Sequence, residues 1–273
     1  MSADVTGRVA MLRRYPVKSM LGEQCATLDV NPPGVAGDRR YAFIDDETGR
    51  VATAKNPRLW RRLLQCSAFT ADDGVVVTLP DGRTVSIDDA AEPVSHLCGR
   101  SVHVADERSA GAVVERSDPI DVLTHGVDAE IDAALLEIAQ GTSGGAFVDH
   151  SPVHLITTTT LDAVGLGSDE ALRYRPNIVI ETADGYPPFV ENDWVGATIR
   201  VGDVALRGTM PTPRCSVPTL EHGALPRSPQ AVRYPFEHNR VEAGDFGNLP
   251  CAGLYAAVSV GGTVREGDPV VIG

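Results

Sequence analysis

The sequence predicts a mainly β protein of the α+β class. It divides into an N-terminal β domain over residues 1–121 and a β-barrel over residues 122–273. Two observations point to strands. Turn-forming clusters of Gly, Asp and Pro cut the 273 residues into many short apolar stretches, and the chain holds 27 Gly and 19 Pro. Thr198-Ile199-Arg200-Val201-Gly202-Asp203-Val204-Ala205-Leu206 resembles Thr263-Val264-Arg265-Glu266-Gly267-Asp268-Pro269-Val270-Val271, each reading as strand, Gly-Asp turn, strand. Two similar hairpins fit a closed or nearly closed barrel. The third observation is the scarcity of helical periodicity, which argues against a parallel sheet with crossover helices.

In chain order, residues 8–15 alternate imperfectly and end at Pro16, where ladder pairing stops. Arg39-Arg40-Tyr41-Ala42-Phe43-Ile44 runs into the turn Asp45-Asp46-Glu47-Thr48-Gly49 and re-emerges at Val51. Residues 57–65 suit a short helix, with Leu59, Leu63 and Leu64 on one side. Asp72-Asp73-Gly74 starts the apolar run 75–79, and Pro80-Asp81-Gly82 turns it into 84–87, a strong hairpin signal. Between 127 and 140, Val127, Ile131, Leu135 and Ile138 recur at helical spacing and Gly141 is a natural stop, so the best helix of the chain is expected there. The glycine-rich residues 141–145 lack the lysine and spacing of a phosphate loop and read as a linker. Residues 153–156 form a strand, Thr157-Thr158-Thr159-Thr160 caps a helix starting near Leu161, and 178–181 form another strand.

Lys plus Arg is 24 and Asp plus Glu is 37, so the net charge is 24 − 37 = −13. Nucleic acid and anionic lipid both need a clustered excess of cations, so neither is an expected partner. No stretch approaches the roughly 20 apolar residues of a spanning helix, and the first residues lack the order of a signal peptide. A soluble, cytoplasmic protein without membrane attachment is expected. The five cysteines, at 25, 66, 98, 215 and 251, are odd in number and at least 32 residues apart (98 − 66). That spacing writes no disulfide framework, CxxC pair or iron–sulfur set. His150 and His154 would share a face on a strand, but without an HExxH-type set they read as surface or capping histidines.

The most loaded segment is Met210-Pro211-Thr212-Pro213-Arg214-Cys215-Ser216. Two prolines leave the loop few conformations, and Arg214 beside the thiol would favour thiolate. Such a cysteine suits a nucleophile, a sulfur carrier or a soft-metal ligand; it also suits a small buried hydrophobe. Lys18 of Tyr15-Pro16-Val17-Lys18-Ser19 is one of only two lysines, with Lys55, and so is no part of a solvated lysine face. Gly37-Asp38-Arg39-Arg40-Tyr41 offers paired guanidiniums, and Arg173, Arg175 and Asn177 share one face if extended. With Arg214, these patches supply the forked donors that a phosphate wants.

The pieces YPVKS, GDRRYAFID, TAKNPRLW, SPVHLIT, RYRPNIVIE, PFVENDWVGATIRVGDVAL, PRC and GLYAAVSVGGTVREGDPVVI follow one another along nearly the whole chain. In that order they resemble the MOSC superfamily, named for the C-terminal domain of molybdenum-cofactor sulfurase, in its form with an N-terminal MOSC-associated β domain. The resemblance is nearest to the amidoxime-reducing component type. It implies a molybdenum cofactor, pterin-bound molybdenum, in a cleft between the two domains. Cys215 would be the metal ligand and the catalytic residue. Lys18, Ser19, Arg39, Arg175 and Asn177 would bind the cofactor, Thr157 and Thr158 would add hydroxyl donors, and Arg214 would flank the ligand. Two segments depart from those relatives. Residues 216–223 lack their Thr-Thr-x-Asp, and the loop 224–249 is Pro-rich and unlike theirs. No ferredoxin domain follows the barrel, so an external electron-donor protein is expected.

The implied function is reduction of N-oxygenated small molecules by a molybdenum oxidoreductase. The alternative is a sulfur or molybdenum-cofactor carrier using a Cys215 persulfide. A barrel that has lost metal and serves as a binding module is disfavoured by retention of the cysteine and the basic patches.

Overall fold

A computed structural model describes residues 6–273. Its centre is a closed barrel of seven strands. Around the barrel run Val153–Thr157, Ile178–Thr182, Gly7–Arg14, Pro269–Ile272, Thr198–Val201, Val204–Pro213 and Asn248–Val260, which pairs back onto the first. All neighbours are antiparallel except Val153–Thr157 with Ile178–Thr182. The interior is filled by inward residues such as Val9, Leu155, Ile180, Leu206, Leu254 and Val270, with Trp194 among them.

The imperfect alternation of the first strand has a structural cause. Its register against Ile178–Thr182 shifts between Val9 and Met11, so Val9 and Leu12 both reach the barrel core while Met11 packs outside it. One extra residue in a bulge explains an odd spacing between two inward side chains. Ile178–Thr182 is apolar on both faces because Ile178 and Ile180 fill the barrel and Val179 packs under the helix Thr158–Val164.

The other β layers carry a second core around Phe43, Trp60, Leu63, Val77, Val94 and Val102. Ala42–Asp45 pairs with Val102–Ala105, and Ser67–Ala71, Gly74–Thr78 and Thr84–Ser86 form a meander. The 57–65 helix is present as Pro57–Trp60 continued by a 3-10 turn, Arg61–Gln65. Hydrogen bonding crosses the 121/122 cut suggested by the sequence. Gly7–Arg14 is a barrel strand, Thr27–Asn31 pairs with Gly262–Arg265, and Val113–Ser117 pairs with Ala133–Glu137.

The helix expected over 127–140 is absent. Ala133–Glu137 is a strand, and Leu135, counted as part of an apolar helical stripe, is 53% exposed. Alternate residues Leu136 and Ile138 instead pack on Val51, Val114 and Phe147, so a period of two won over one of 3.6. A short helix lies earlier, at Pro119–His125. Asp118 caps it by accepting from the amides of Ile120 and Asp121, with Pro119 at its first position. The second Gly-Asp segment is also not a hairpin. Its strands part at Gly267, Gly262–Arg265 joining Thr27–Asn31 while Pro269–Ile272 enters the barrel.

Among the described residues, no helix is long and apolar enough to cross a membrane.

Candidate functional site

A cleft of about 1150 Å³, part of it open to solvent, lies between the barrel and the N-terminal layers. Lys18, Ser19, Arg39, Arg175, Asn177, Arg214 and Cys215 all line it, although up to 197 positions (215 − 18) separate them in sequence. Thr157 and Thr158 do not line it. Thr157 caps its helix by accepting from the Thr160 amide, and its hydroxyl lies 2.9 Å from Glu191 Oε2. The strand Val153–Thr157 begins at the cleft and leads away from it. The polar residues just before that strand, Asp149, His150 and Ser151, therefore face the cleft instead.

Pro16 ends the first barrel strand, and the chain then bridges through Val17 to Tyr41, which turns Lys18 inward. The buried Lys18 Nζ donates to Phe147 O and to Asp149 Oδ1, both at 2.7 Å, and Lys55 Nζ reaches the same carboxylate at 3.0 Å. Burial pushes the Lys18 ammonium down to about 8, with Asp149 opposing and Lys55 adding to the shift. Burial would raise the Asp149 carboxyl, but the two lysines prevail and hold it well below its usual range.

Arg39 and Arg175 stack on the ring of Tyr15, with guanidinium carbons 4.6 Å and 4.4 Å from its centroid. Arg39 pairs with Asp38 and donates to Arg175 O at 2.9 Å. Arg175 Nη1 donates to Met20 O at 2.6 Å, while its buried Nη2 has no partner. Burial, reinforced by Arg39, pushes Arg175 down to about 10. Asn177 forms the floor, its Oδ1 accepting from the His154 amide and its Nδ2 donating to Arg13 O.

Arg173 and Arg175 are not on an extended segment. Arg173 ends a 3-10 turn and is held by Glu170, Leu220 O and Pro226 O, whereas Arg175 adopts a left-handed φ of 57°. Ser19 (φ 64°) and Arg39 (φ 46°) share that conformation, so three of the five non-glycine residues with positive φ among those described lie on this one wall. A side chain in this region costs about 1–3 kcal/mol, and such strain clusters where a ligand is held. The Ser19 hydroxyl accepts from the Ala54 amide at 3.1 Å, which ties the strained turn to Thr53 and Ala54.

Arg214 follows the strand Val204–Pro213 and stacks on Tyr174. Its guanidinium donates to Thr212 O and Tyr174 O, and its Nη2 lies 3.3 Å from His154 Nε2. Burial first, then Arg214, keeps His154 well below its ordinary value, so the ring is neutral. Cys215 is a half-buried free thiol at the edge of a small cluster with Ala54, Leu64, Val217 and Leu220. Lys55, Asp149, His150, Ser151, His154 and Tyr255 also line the cleft, although none of them is a site candidate from sequence. The close pair His150 and His154 was the one available signal, and only barrel closure against Asn248–Val260 turns it toward the site.

Gathering Lys18, Arg39, Arg175 and Arg214 on one largely buried wall, where only Asp38 and Asp149 offset them, is electrostatically costly unless a further anion compensates. The unpartnered Nη2 of Arg175 is the donor such an anion would meet. A phosphate-bearing ligand fits this wall, and a soft metal fits the single thiol that lines the same cleft.

A model of the MOSC N-terminal beta barrel domain matches residues 6–112, and one of the MOSC domain matches residues 142–271. The chain is 24% identical to mitochondrial amidoxime-reducing component 1 of Homo sapiens over 97% of its length and 83% of that protein. It is 25% identical to the same component of Mus musculus, over 97% and 82%. Among solved structures, the YuaD protein of Bacillus subtilis aligns with a TM-score of 0.44 at 10% identity, covering 98% of this chain and 95% of that one.

Proposed function

We propose, from the premise that this chain belongs to the MOSC family, that its cleft binds a pterin molybdenum cofactor and reduces N-oxygenated small molecules. Electrons would come from a separate redox protein. The observation that carries this reading is the convergence of Lys18, Arg39 and Arg175 with the Cys215 thiol on one cleft. Arg39 and Arg175 would grip the pterin phosphate, Lys18 and Arg214 would add charge, and Cys215 would ligate the metal. The cofactor would supply two-electron chemistry at the substrate N–O bond.

The protein's own part is positional and electrostatic. Tyr15 holds two guanidiniums on its ring so that they face an anion together instead of turning away from each other. Asp149 keeps Lys18 and Lys55 anchored beside that wall. The neutral His154 lets Arg214 approach without a second positive charge at the metal ligand. Apolar residues Leu136, Ile138, Val217 and Pro218 line part of the cleft and would help a bound cofactor displace water from that part.

Protein produced in a cofactor-competent host should contain stoichiometric molybdenum and convert benzamidoxime to benzamidine with a chemical electron donor. Metal-free protein carrying cysteine-bound sulfane sulfur and no N-reduction would overturn the reading in favour of a carrier.

Lys18 gives this anion site a pH signature. Sulfate, a dianion that does not titrate near neutrality, should bind the ligand-free cleft more weakly as pH rises through about 8, because Lys18 then loses its charge. One proton per site sets the limiting slope at about tenfold per pH unit. Stability moves the other way. The folded Lys18 titrates near 8 and the unfolded one at its ordinary 10.5, so the unfolded chain binds more protons in that window and the ligand-free fold gains stability as pH rises. Calorimetry of sulfate binding between about pH 7 and 9, with Lys18→Met as the flat reference, tests the assignment. A wild-type affinity independent of pH would remove Lys18 from the site.

A further inference from the structure

At the cleft, His150, Ser151 and Thr209 form a chain of polar side chains whose direction is fixed at its far end. Thr209 Oγ1 lies 2.9 Å from the carbonyl of Tyr255, and a carbonyl can only accept, so the threonine proton is committed there. Ser151 Oγ, 3.1 Å from Thr209 Oγ1, must therefore donate to it. With its only proton engaged, Ser151 accepts from His150 Nδ1 at 2.9 Å. Nδ1 of the imidazole thus carries hydrogen, and in the neutral ring Nε2 is the bare lone pair.

The ring is also held in place. It stacks on Tyr255 with centroids 5.8 Å apart and meets Phe246 edge-on at 6.0 Å. A Cβ on Gly141 would come within 2.8 Å of His150 Nδ1, so glycine leaves room for the imidazole. His150 is half-buried and lines the same cleft as Cys215, so Nε2 can exchange protons with solvent and with a bound molecule.

We propose that His150 is the proton-transfer residue of the reduction, taking a proton on Nε2 from solvent and giving it to the oxygen that leaves the substrate. The inference rests on the N-reductase reading above. For an amidoxime, the N–O bond breaks with two electrons from the external redox protein. The departing hydroxide takes the His150 proton to become water, and the nitrogen takes a second proton from solvent. Ser151 and Thr209 are positioning residues that fix the tautomer.

The charged groups facing the ring are Asp149 from its own segment and Asp245 from the turn Gly244–Phe246; the phenol of Tyr255 beneath it is kept neutral by burial. Burial lowers the imidazole from its ordinary 6.5, and the two carboxylates only partly restore it. The protonated ring is therefore a good acid, and turnover should fall as pH rises through a value below 6.5.

His150→Gln keeps a donor toward Ser151 but cannot carry a proton. In the molybdenum-loaded protein it should lower kcat about 100-fold or more, abolish that pH limb, and leave metal content and KM for benzamidoxime nearly unchanged. Independently of activity, ¹⁵N NMR of histidine-labelled protein should show the Nδ1–H tautomer for His150, and Ser151→Ala should shift it toward Nε2–H. An Nε2–H tautomer in the wild type would overturn the proposal at its geometric root. Equal rates and pH profiles for wild type and His150→Gln would overturn it while leaving the N-reductase reading intact. Failure of loaded wild-type protein to reduce benzamidoxime would take both down.

Discussion

Cys215→Ala is expected to lose molybdenum and N-reduction while unfolding within a few degrees of the wild type. The thiol lies half-buried at the margin of the small cluster of Ala54, Leu64, Val217 and Leu220, so removing one sulfur opens little core volume. A loss of about 1 kcal/mol follows from transfer and cavity terms at such a site. In a chain of this length that corresponds to roughly 2–4 °C in Tm. Loss of a ligand acts on another scale. Disrupting even the supporting partners of a metal site costs about 10–100-fold, so the ligand itself should cost at least ~100-fold in turnover. Cys66 and Cys251 give the opposite contrast. Both are fully buried, and burial pushes their thiols up to about 12 and about 11, so they are inert packing groups. Their alanine variants should lose stability and keep metal, and Cys25→Ala and Cys98→Ala should also keep metal. Thermal unfolding, metal content and benzamidoxime reduction on the five variants decide the matter. Full activity of Cys215→Ala, or equal losses across all five, would make the thiol structural.

What could be read from the sequence was local or carried by residue type. Turn chemistry marked the meander of Ser67–Ala71, Gly74–Thr78 and Thr84–Ser86, and the threonine run 157–160 marked a helix that starts at Thr158 instead of near Leu161. Lys18, Arg39, Arg175 and Cys215 stood out because a scarce lysine, paired arginines and a proline-braced thiol are unusual in an acidic chain. Features set by long-range closure were not legible. Asp149, His150 and Ser151 look like an ordinary loop until Val153–Thr157 is inserted between Ile178–Thr182 and Asn248–Val260. Thr157 and Thr158 lie away from the cleft for the same reason, since sequence does not say which end of a strand meets it. The left-handed backbone at Ser19, Arg39 and Arg175 was hidden as well, because no glycine or asparagine advertises it. Leu135 and Ile138 misled through chance helical spacing, where the partner strand Val113–Ser117 imposed a period of two.

Arg175→Gly should leave the ligand-free protein as stable as the wild type or more so, and should abolish its hold on the cofactor. Arg175 combines a left-handed φ of 57°, a guanidinium that burial and Arg39 press down to about 10, and a buried nitrogen without a partner. Glycine removes the conformational strain, about 1–2 kcal/mol, and the repulsion between the two arginines together. Against this stands the loss of the bond to Met20 O, about 1–3 kcal/mol for an acceptor left buried, less if water replaces the guanidinium. Its neighbour Arg173 makes the comparison decisive. Arg173 is buried too, but it is bound to Glu170, Leu220 O and Pro226 O. Arg173→Ala strands those three acceptors and should destabilise by about 3–5 kcal/mol, as breaking a buried ion pair does. Binding reverses the order. Truncating one partner of a buried charge pair weakens a complex by about 2 kcal/mol or more, so Arg175→Gly should bind sulfate at least ~30-fold more weakly and purify without molybdenum. Arg175→Met, which keeps the strain and removes the charge, separates the two effects: weak binding with no gain from relaxed backbone. Differential scanning calorimetry and sulfate titration read both quantities on the same samples. If Arg175→Gly melts as far below the wild type as Arg173→Ala, Arg175 is a structural residue, and the strained, unpartnered guanidinium is not what receives the anion.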